Sequence, residues 1–64
     1  MTKNRDNIYL VERRALQTNY NVIVAAFSSS ESAYEYADAA QQEFIDKGLG
    51  HEFEFDVIIT TYYE

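Results

Sequence analysis

The alternation of apolar and polar residues predicts three β-strands and one helix, in the order β-β-α-β. Residues 8–16 begin with β-branched and aromatic side chains and end at a polar, turn-forming cluster at 17–19. Residues 20–27 form a second short segment that is β-branched at its centre. Residues 52–63 alternate strictly, which places Phe53, Phe55, Val57 and Ile59 on one face of a third strand. The sequence therefore predicts a hairpin, a helix and a final strand.

The helix is predicted to begin at Ser28, because Ser28 and Glu31 have the spacing of a capping box. The apolar residues that share one arc of its helical wheel are Ala33, Tyr36, Ala37, Ala40 and Phe44. Gly48 suits the left-handed position after a helix, so the helix is expected to end near Lys47. The alanines of this arc should let the helix lie close to a sheet.

These elements predict an α+β fold of two layers. A right-handed helical crossover leaves strands two and three parallel in direction, so strand one is expected to lie between them. The result is a ββαβ arrangement, with a three-stranded antiparallel sheet of order 2-1-3, one helix packed on one face, and the other face bare. Residues 1–7 are polar without a period and predict a flexible N-terminal arm, and residues 8–64 a single domain. Strand two is the expected exposed edge.

Composition limits the class of protein. The 64 residues include no Cys, which excludes disulfides and thiolate metal sites, and 47% of them are hydrophobic, too many for a disordered chain. No apolar run is long enough to span a membrane, and no secretory signal follows Met1, so a cytoplasmic location is expected. The formal net charge of -6 argues against direct nucleic-acid binding, because phosphates would be repelled.

No motif predicts catalysis. His51 is the only histidine, and no Gly-x-Ser-x-Gly pattern surrounds the serines at 28–30. The glycines Gly48 and Gly50 lack the spacing of a phosphate-binding loop. We therefore expect a protein that is not an enzyme and that uses no metal or cofactor.

Acidic side chains form the most informative pattern. On the helix they lie opposite the apolar arc, and on strand three they lie on the outward side. The predicted acidic partner-binding residues are Glu31, Glu35, Asp38, Asp46, Glu52, Glu54 and Asp56. The partner they favour is the basic surface of a protein or of a protein–nucleic acid complex. Charge of this size also serves solubility, and that alternative stays open.

Tyrosine is the second notable residue type, with six in the chain. Tyrosine is favoured at interfaces because it combines a large rigid contact area with a polar group. The predicted aromatic partner-binding residues are Tyr9, Tyr34, Tyr62 and Tyr63. Tyr9, Val11, Ile58 and Tyr62 are expected to form a partly apolar patch on the bare sheet face. Some tyrosines are expected to belong to the core, Tyr36 among them.

A strand hairpin, a Ser-capped helix rich in Glu and Ala, and a final strand, all within an acidic chain of this size, resemble the small bacteriophage host-takeover inhibitors. The architecture is similar to that of the podophage inhibitor of host RNA polymerase over residues 8–63, without a shared binding motif. The resemblance implies a non-catalytic inhibitor encoded by a phage or mobile element that docks on a host machine in the bacterial cytoplasm.

Two hypotheses for function follow. In the first, the acidic helix and strand residues occupy a basic nucleic-acid-binding site of a host machine, either RNA polymerase or a defence nuclease such as a CRISPR complex. In the second, the chain is a small structural or regulatory homo-oligomer, a homodimer in the simplest form, that associates through its bare sheet face or an edge strand.

Overall fold

The chain folds into a three-stranded antiparallel sheet with one helix on one face, as the sequence predicts. This computed structural model describes the backbone of residues 5–63 and the side chains of residues 7–61. Its elements are β1 (Arg5–Ala15), β2 (Tyr20–Phe27), α1 (Ser30–Asp46) and β3 (Phe53–Tyr63). The strand order is β2-β1-β3, and both neighbouring pairs are antiparallel. The predicted α+β class and the 2-1-3 order are confirmed.

The first strand begins earlier than predicted. Arg5 lies opposite Tyr63 and Asn7 opposite Thr61, and the Thr61 hydroxyl donates a hydrogen bond of 3.2 Å to the Asn7 side chain. The predicted arm over residues 1–7 is therefore wrong for residues 5–7, and residues 1–4 lie outside the described part. The polar residues of this segment are strand residues because β3 is long enough to pair with them.

The turn between β1 and β2 lies at the polar cluster that the sequence predicts. Asn19 has a φ of 59°, which lies in the left-handed region that asparagine tolerates better than most residues. The Asn19 amide donates a hydrogen bond of 2.8 Å to the carbonyl oxygen of Ala15. A single residue with positive φ thus reverses the chain and starts β2.

The N-cap of the helix lies one residue later than the capping-box prediction. Its N-cap is Ser29, not Ser28, and the Ser29 hydroxyl accepts a hydrogen bond of 3.4 Å from the amide of Ser32. The serine run offers several capping hydroxyls, so sequence spacing alone does not select between them. The predicted end is confirmed, since Lys47 is the C-cap and Gly48 has a φ of 80°.

The core is small and depends on alanines. Only Val11, Ala33 and Ala37 are buried among the described side chains. Alanine side chains let the helix backbone approach the middle strand closely. The partly buried side chains packed around this centre are Tyr9, Val24, Ala25, Phe27, Phe55 and Val57.

Aromatic rings extend the core toward both ends of the helix. The Phe44 ring meets Phe53 and Phe55 edge-on, with centroids 5.3 and 5.1 Å apart. Near the other end, Tyr36 packs against Phe27 at a centroid distance of 5.6 Å. Tyr36 is therefore a packing residue, as predicted, although 41% of it stays exposed. The helix crosses the sheet from β2 at its N-terminal end to β3 at its C-terminal end.

The two outer strands differ in regularity. The register between β1 and β2 shifts between Val11 and Glu12, because Val11 lies opposite Ala25 and Glu12 opposite Ile23. Val24 is the extra residue of a β-bulge, which bends and twists a strand locally. The pairing of β1 with β3 runs without a shift from Arg5 to Ala15.

The molecule is thin and elongated. Its principal extents are 52 × 22 × 11 Å, and its radius of gyration is 13.9 Å. A compact chain of this length has a radius of gyration of about 11 Å. The fold therefore has two large outer surfaces and little interior, which leaves several large apolar side chains in contact with solvent.

Close contact between helix and sheet predicts that Ala33→Leu destabilises the fold by about 1–3 kcal/mol, because the larger side chain overpacks the site between α1 and Val11. The free energy of unfolding from urea titration measures this loss. Ala39→Leu is the matched control, since Ala39 is exposed on the same helix and should change stability by less than about 0.5 kcal/mol. Equal effects of both variants would contradict close packing at Ala33.

Candidate interaction surfaces

The outer face of α1 is acidic, and few basic side chains balance its negative charge. Glu31, Glu35, Asp38 and Asp46 are all exposed there. The helix rises 1.5 Å per residue, so carboxylates four residues apart are about 6 Å apart along the axis. Gln42 donates a hydrogen bond of 3.0 Å to Asp46, which leaves the negative charge in place. We call these four residues the acidic helix face.

Few described cations lie near this face. Lys47 lies 3.5 Å from Glu43 on the flank of the helix, with both side chains more than half exposed. Such an exposed pair has little energetic weight. The other two basic side chains of the described residues, Arg13 and Arg14, belong to β1. The charge of the acidic helix face is thus available to a partner.

The carboxylates of β3 lie on the other side of the molecule. Arg14 binds Asp56 at 2.7 Å and approaches Glu54 at 3.6 Å, on the sheet face that α1 does not cover. The pKa of Arg14 is raised, first by its hydrogen bond to Asp56 and second by the negative charge of that carboxylate. These carboxylates therefore do not continue the acidic helix face, because Glu54 and Asp56 point away from the helix and Glu52 lies in the turn before β3.

Arg13 lies on the opposite face from Arg14. The Arg13 guanidinium carbon is 5.3 Å from the centre of the Phe53 ring, on the helix side of the sheet. A guanidinium over an aromatic face is weakly attracted by the ring. Of the two adjacent arginines, Arg14 is therefore the one that pairs with the β3 carboxylates.

The uncovered sheet face also has an apolar part. Leu10 lies opposite Ala26 on β2 and opposite Ile58 on β3. Ile58 is 38% exposed, as predicted for this face. The predicted placement of Tyr9 and Val11 beside it is wrong, because both pack in the core under the helix. The side chains of β1 therefore point to the opposite faces of the sheet from those expected.

The tyrosines are divided between core and surface. Tyr34 is 53% exposed and lies beside the acidic helix face. Tyr20, which the sequence did not indicate as a binding residue, is 68% exposed, the most of the large apolar side chains within residues 7–61. Its place as the first residue of β2 is the signal that could have indicated this. Tyr62 and Tyr63 belong to β3, but their side chains lie outside the described part.

Gln41 is a structural residue that the sequence analysis missed. Its side-chain nitrogen donates a hydrogen bond of 3.3 Å to the Phe53 carbonyl, and its side-chain oxygen accepts one of 3.0 Å from the Phe55 amide. The amide group thus pairs with the outer edge of β3 as the backbone of another strand would. Its position on the flank of the apolar arc, on the β3 side, is the only sequence signal for this role.

A shallow hollow of about 260 Å³ lies at the hairpin end of the sheet. The residues that line it are Ala15, Gln17, Thr18, Tyr20, Glu52 and Phe53. Within residues 7–61, no group of three or more His, Asp and Glu side chains is arranged to hold a metal ion. No helix in the described part of the chain is long and apolar enough to cross a membrane.

Comparison with known proteins gives no relative. No protein-family model matches the chain, and no curated protein and no solved structure shows significant similarity to it. The geometry therefore defines a class only: a small two-layer ββαβ domain with an acidic helix layer and an open sheet.

The bonds of Gln41 predict that Gln41→Leu lowers the free energy of unfolding by about 1–2 kcal/mol, because two backbone groups of β3 lose their partner. Gln42→Leu is the matched control. Its side chain bonds only the exposed Asp46, so we expect a change below about 0.5 kcal/mol. Urea titration measures both values. A loss from Gln42→Leu as large as that from Gln41→Leu would show that helix propensity, and not the β3 contact, is measured.

Proposed function

We propose that the protein is a non-catalytic inhibitor that docks its acidic helix face on a basic nucleic-acid-binding site of a host machine. RNA polymerase and a defence nuclease such as a CRISPR complex are the candidate targets. The observation that carries the proposal is the row of exposed carboxylates on α1, none of which forms an ion pair with a described basic side chain. The expected origin in a phage or mobile element rests on the resemblance in architecture.

The acidic helix face suits a site that normally holds phosphates. Glu31, Glu35, Asp38 and Asp46 run along one side of a rigid helix, and a basic groove attracts such a row as it attracts a nucleic-acid backbone. Like charges four residues apart disfavour the isolated helix by a few tenths of a kcal/mol, so the row does not serve helix stability. Tyr34, beside the row, adds aromatic contact area.

The β3 carboxylates are left out of this docking surface. Glu54 and Asp56 lie across the sheet from the helix, and Arg14 neutralises part of their charge. A single flat partner cannot contact both sides of the molecule. The proposed contact is therefore narrower than the seven acidic residues that the sequence suggests.

The proposal predicts that a variant with Glu35→Gln, Asp38→Asn and Asp46→Asn no longer captures its target. Tagged protein is incubated with bacterial lysate, and bound proteins are identified by mass spectrometry. We expect the native chain to retain one nucleic-acid-handling complex, and to displace labelled nucleic acid from that complex after purification. The variant should lose both activities, because its helix keeps its shape but loses charge.

The matched control adds positive charge elsewhere. Gln17→Lys, Thr18→Lys and Asn21→Lys change the net charge by the same amount at exposed positions away from α1. This control should bind as the native chain does. Binding should also weaken when salt is raised above about 0.1 M, where exposed charges are screened beyond about 10 Å. Equal capture by all three proteins, or binding insensitive to salt, would contradict the proposal.

A second candidate function is that of a structural or regulatory homo-oligomer. The observation that favours it is the exposure of large apolar side chains on both outer strands: Ile23 is 49% exposed on β2 and Ile59 58% exposed on β3. An edge strand with exposed apolar side chains is a ready template for pairing with another chain. Light scattering should then give a mass that is a multiple of the chain mass of 7.5 kDa and that rises with concentration. A monomer mass at all concentrations would exclude this candidate.

A further inference from the structure

The outer edge of β3 is defined by the direction of its backbone groups. The Leu16 amide bonds the Glu52 carbonyl, and Gln41 bonds Phe53 and Phe55 from the other side. Backbone groups alternate in direction along an antiparallel strand. The even-numbered residues of β3 therefore face β1, and the odd-numbered residues direct their N–H and C=O groups outward.

Gln41 limits the part of this edge that is free. It occupies the Phe53 carbonyl and the Phe55 amide, so Val57 is the first residue after them whose outward N–H and C=O are both left unoccupied by Gln41. The backbone pairing with β1 continues past Thr61. We call residues 57–61 the free edge of β3.

The side chains of the free edge are apolar or neutral on both faces. Ile58 is 38% exposed on the uncovered sheet face, and Ile59 is 58% exposed on the helix side. Val57, Thr60 and Thr61 complete a segment without charge, glycine or proline. Proteins usually protect an edge strand with a charge, a proline or a bulge, and the free edge has none of these.

The β2 edge is less suited to pairing. It carries the bulge at Val24, which interrupts the regular spacing of its outward groups. The sequence predicts strand two as the exposed edge, and the structure shows two exposed edges, of which β3 is the regular one. A strand partner would therefore find the longer unbroken template on β3.

We propose that the free edge of β3 pairs antiparallel with the same edge of a second copy of this chain, with Ile59 opposite Ile59. Val57 then lies opposite Thr61, and each of these pairs exchanges two backbone hydrogen bonds. The two sheets join into one of six strands around a two-fold axis. Pairing ends before Phe55, whose amide Gln41 already occupies.

The uncharged free edge permits a second copy in this register. A chain with a net charge of -6 repels its own copies, so self-association needs a contact without charge, and residues 57–61 provide one. The nearest carboxylate, Asp56, is bound to Arg14 and would lie opposite Tyr62. No like charges face each other within the paired segment.

The helices do not obstruct this pairing. Along β3, the aromatic contacts of α1 are with Phe53 and Phe55 through Phe44. These residues lie four to six positions from Ile59, or roughly 13–20 Å along the strand. The two-fold axis directs the helix-covered ends of the two β3 strands away from each other. Both acidic helix faces stay exposed.

This inference rests on the second candidate function, self-association, and identifies the free edge of β3 as the contact surface. The experiment uses the absence of native cysteines, so each single-cysteine variant has one defined thiol. Residues opposite each other in a hydrogen-bonded pair have Cα atoms about 5.5 Å apart, within the range of a disulfide. Ile59→Cys should therefore form a covalent dimer under mild oxidation, at least ten times faster than its controls.

The controls are Ile58→Cys, which reports face-to-face packing of the uncovered sheets, and Ile23→Cys, which reports pairing through β2. The native chain should double in mass by light scattering as concentration rises. Ile59→Lys should stay monomeric with an unchanged circular dichroism spectrum, because two like charges would meet at the axis. Ile23→Lys should still dimerise.

The outcomes separate the inference from the candidate function. Fast cross-linking of Ile59→Cys together with loss of dimer in Ile59→Lys supports pairing through β3. A dimer that cross-links faster through Ile58→Cys or Ile23→Cys keeps self-association and overturns the β3 edge. A native chain that is monomeric at all concentrations overturns both. If the native chain is monomeric and Ile59→Cys cross-links only to another protein, the free edge of β3 binds a strand of that protein. This result also overturns the proposed pairing with a second copy.

Discussion

The close approach of α1 to the middle strand is the contact on which the rest of the structure depends. Ala33 and Ala37 are buried against a sheet centred on Val11, and no other described side chain is fully buried. Small side chains bring the helix near the sheet but contribute little apolar area themselves. Aromatic rings at both ends of the helix supply more, Tyr36 with Phe27 and Phe44 with the start of β3. A core of this size stabilises a domain only modestly, so association with a partner would add substantially to stability.

One helix on three strands leaves two opposite surfaces of different chemistry. The helix presents carboxylates, while the uncovered sheet face combines the Arg14 ion pairs with the apolar side chains of Leu10 and Ile58. The two surfaces are separated by the thickness of the molecule, so one partner on each is geometrically compatible. The free edge of β3 belongs to neither surface, so docking through the helix and pairing through β3 are compatible in one chain.

The side chain of Gln41 connects the helix to the outer edge of β3. It fixes the C-terminal half of α1 to the beginning of β3 and occupies the backbone edge there. Beyond Phe55 the helix has moved toward β2, and the edge is open. Because α1 crosses the sheet diagonally from β2 to β3, it covers the beginning of β3 and leaves the rest of this regular edge exposed.

The sequence by itself determined the element order, the class and the strand order, because hydrophobic periods, Asn19, Gly48 and the handedness of crossovers each act locally or by general rule. It also determined which side of α1 is acidic. Only the tertiary structure decided which face of β1 meets the helix, since Ile8, Leu10, Tyr9 and Val11 are all apolar and alternation cannot choose between them. That choice placed Tyr9 in the core. The strand register likewise paired Arg14 with the β3 carboxylates. The bonds of Gln41 join it to residues that are 12 and 14 positions away in sequence, and no local pattern predicts contacts at that separation.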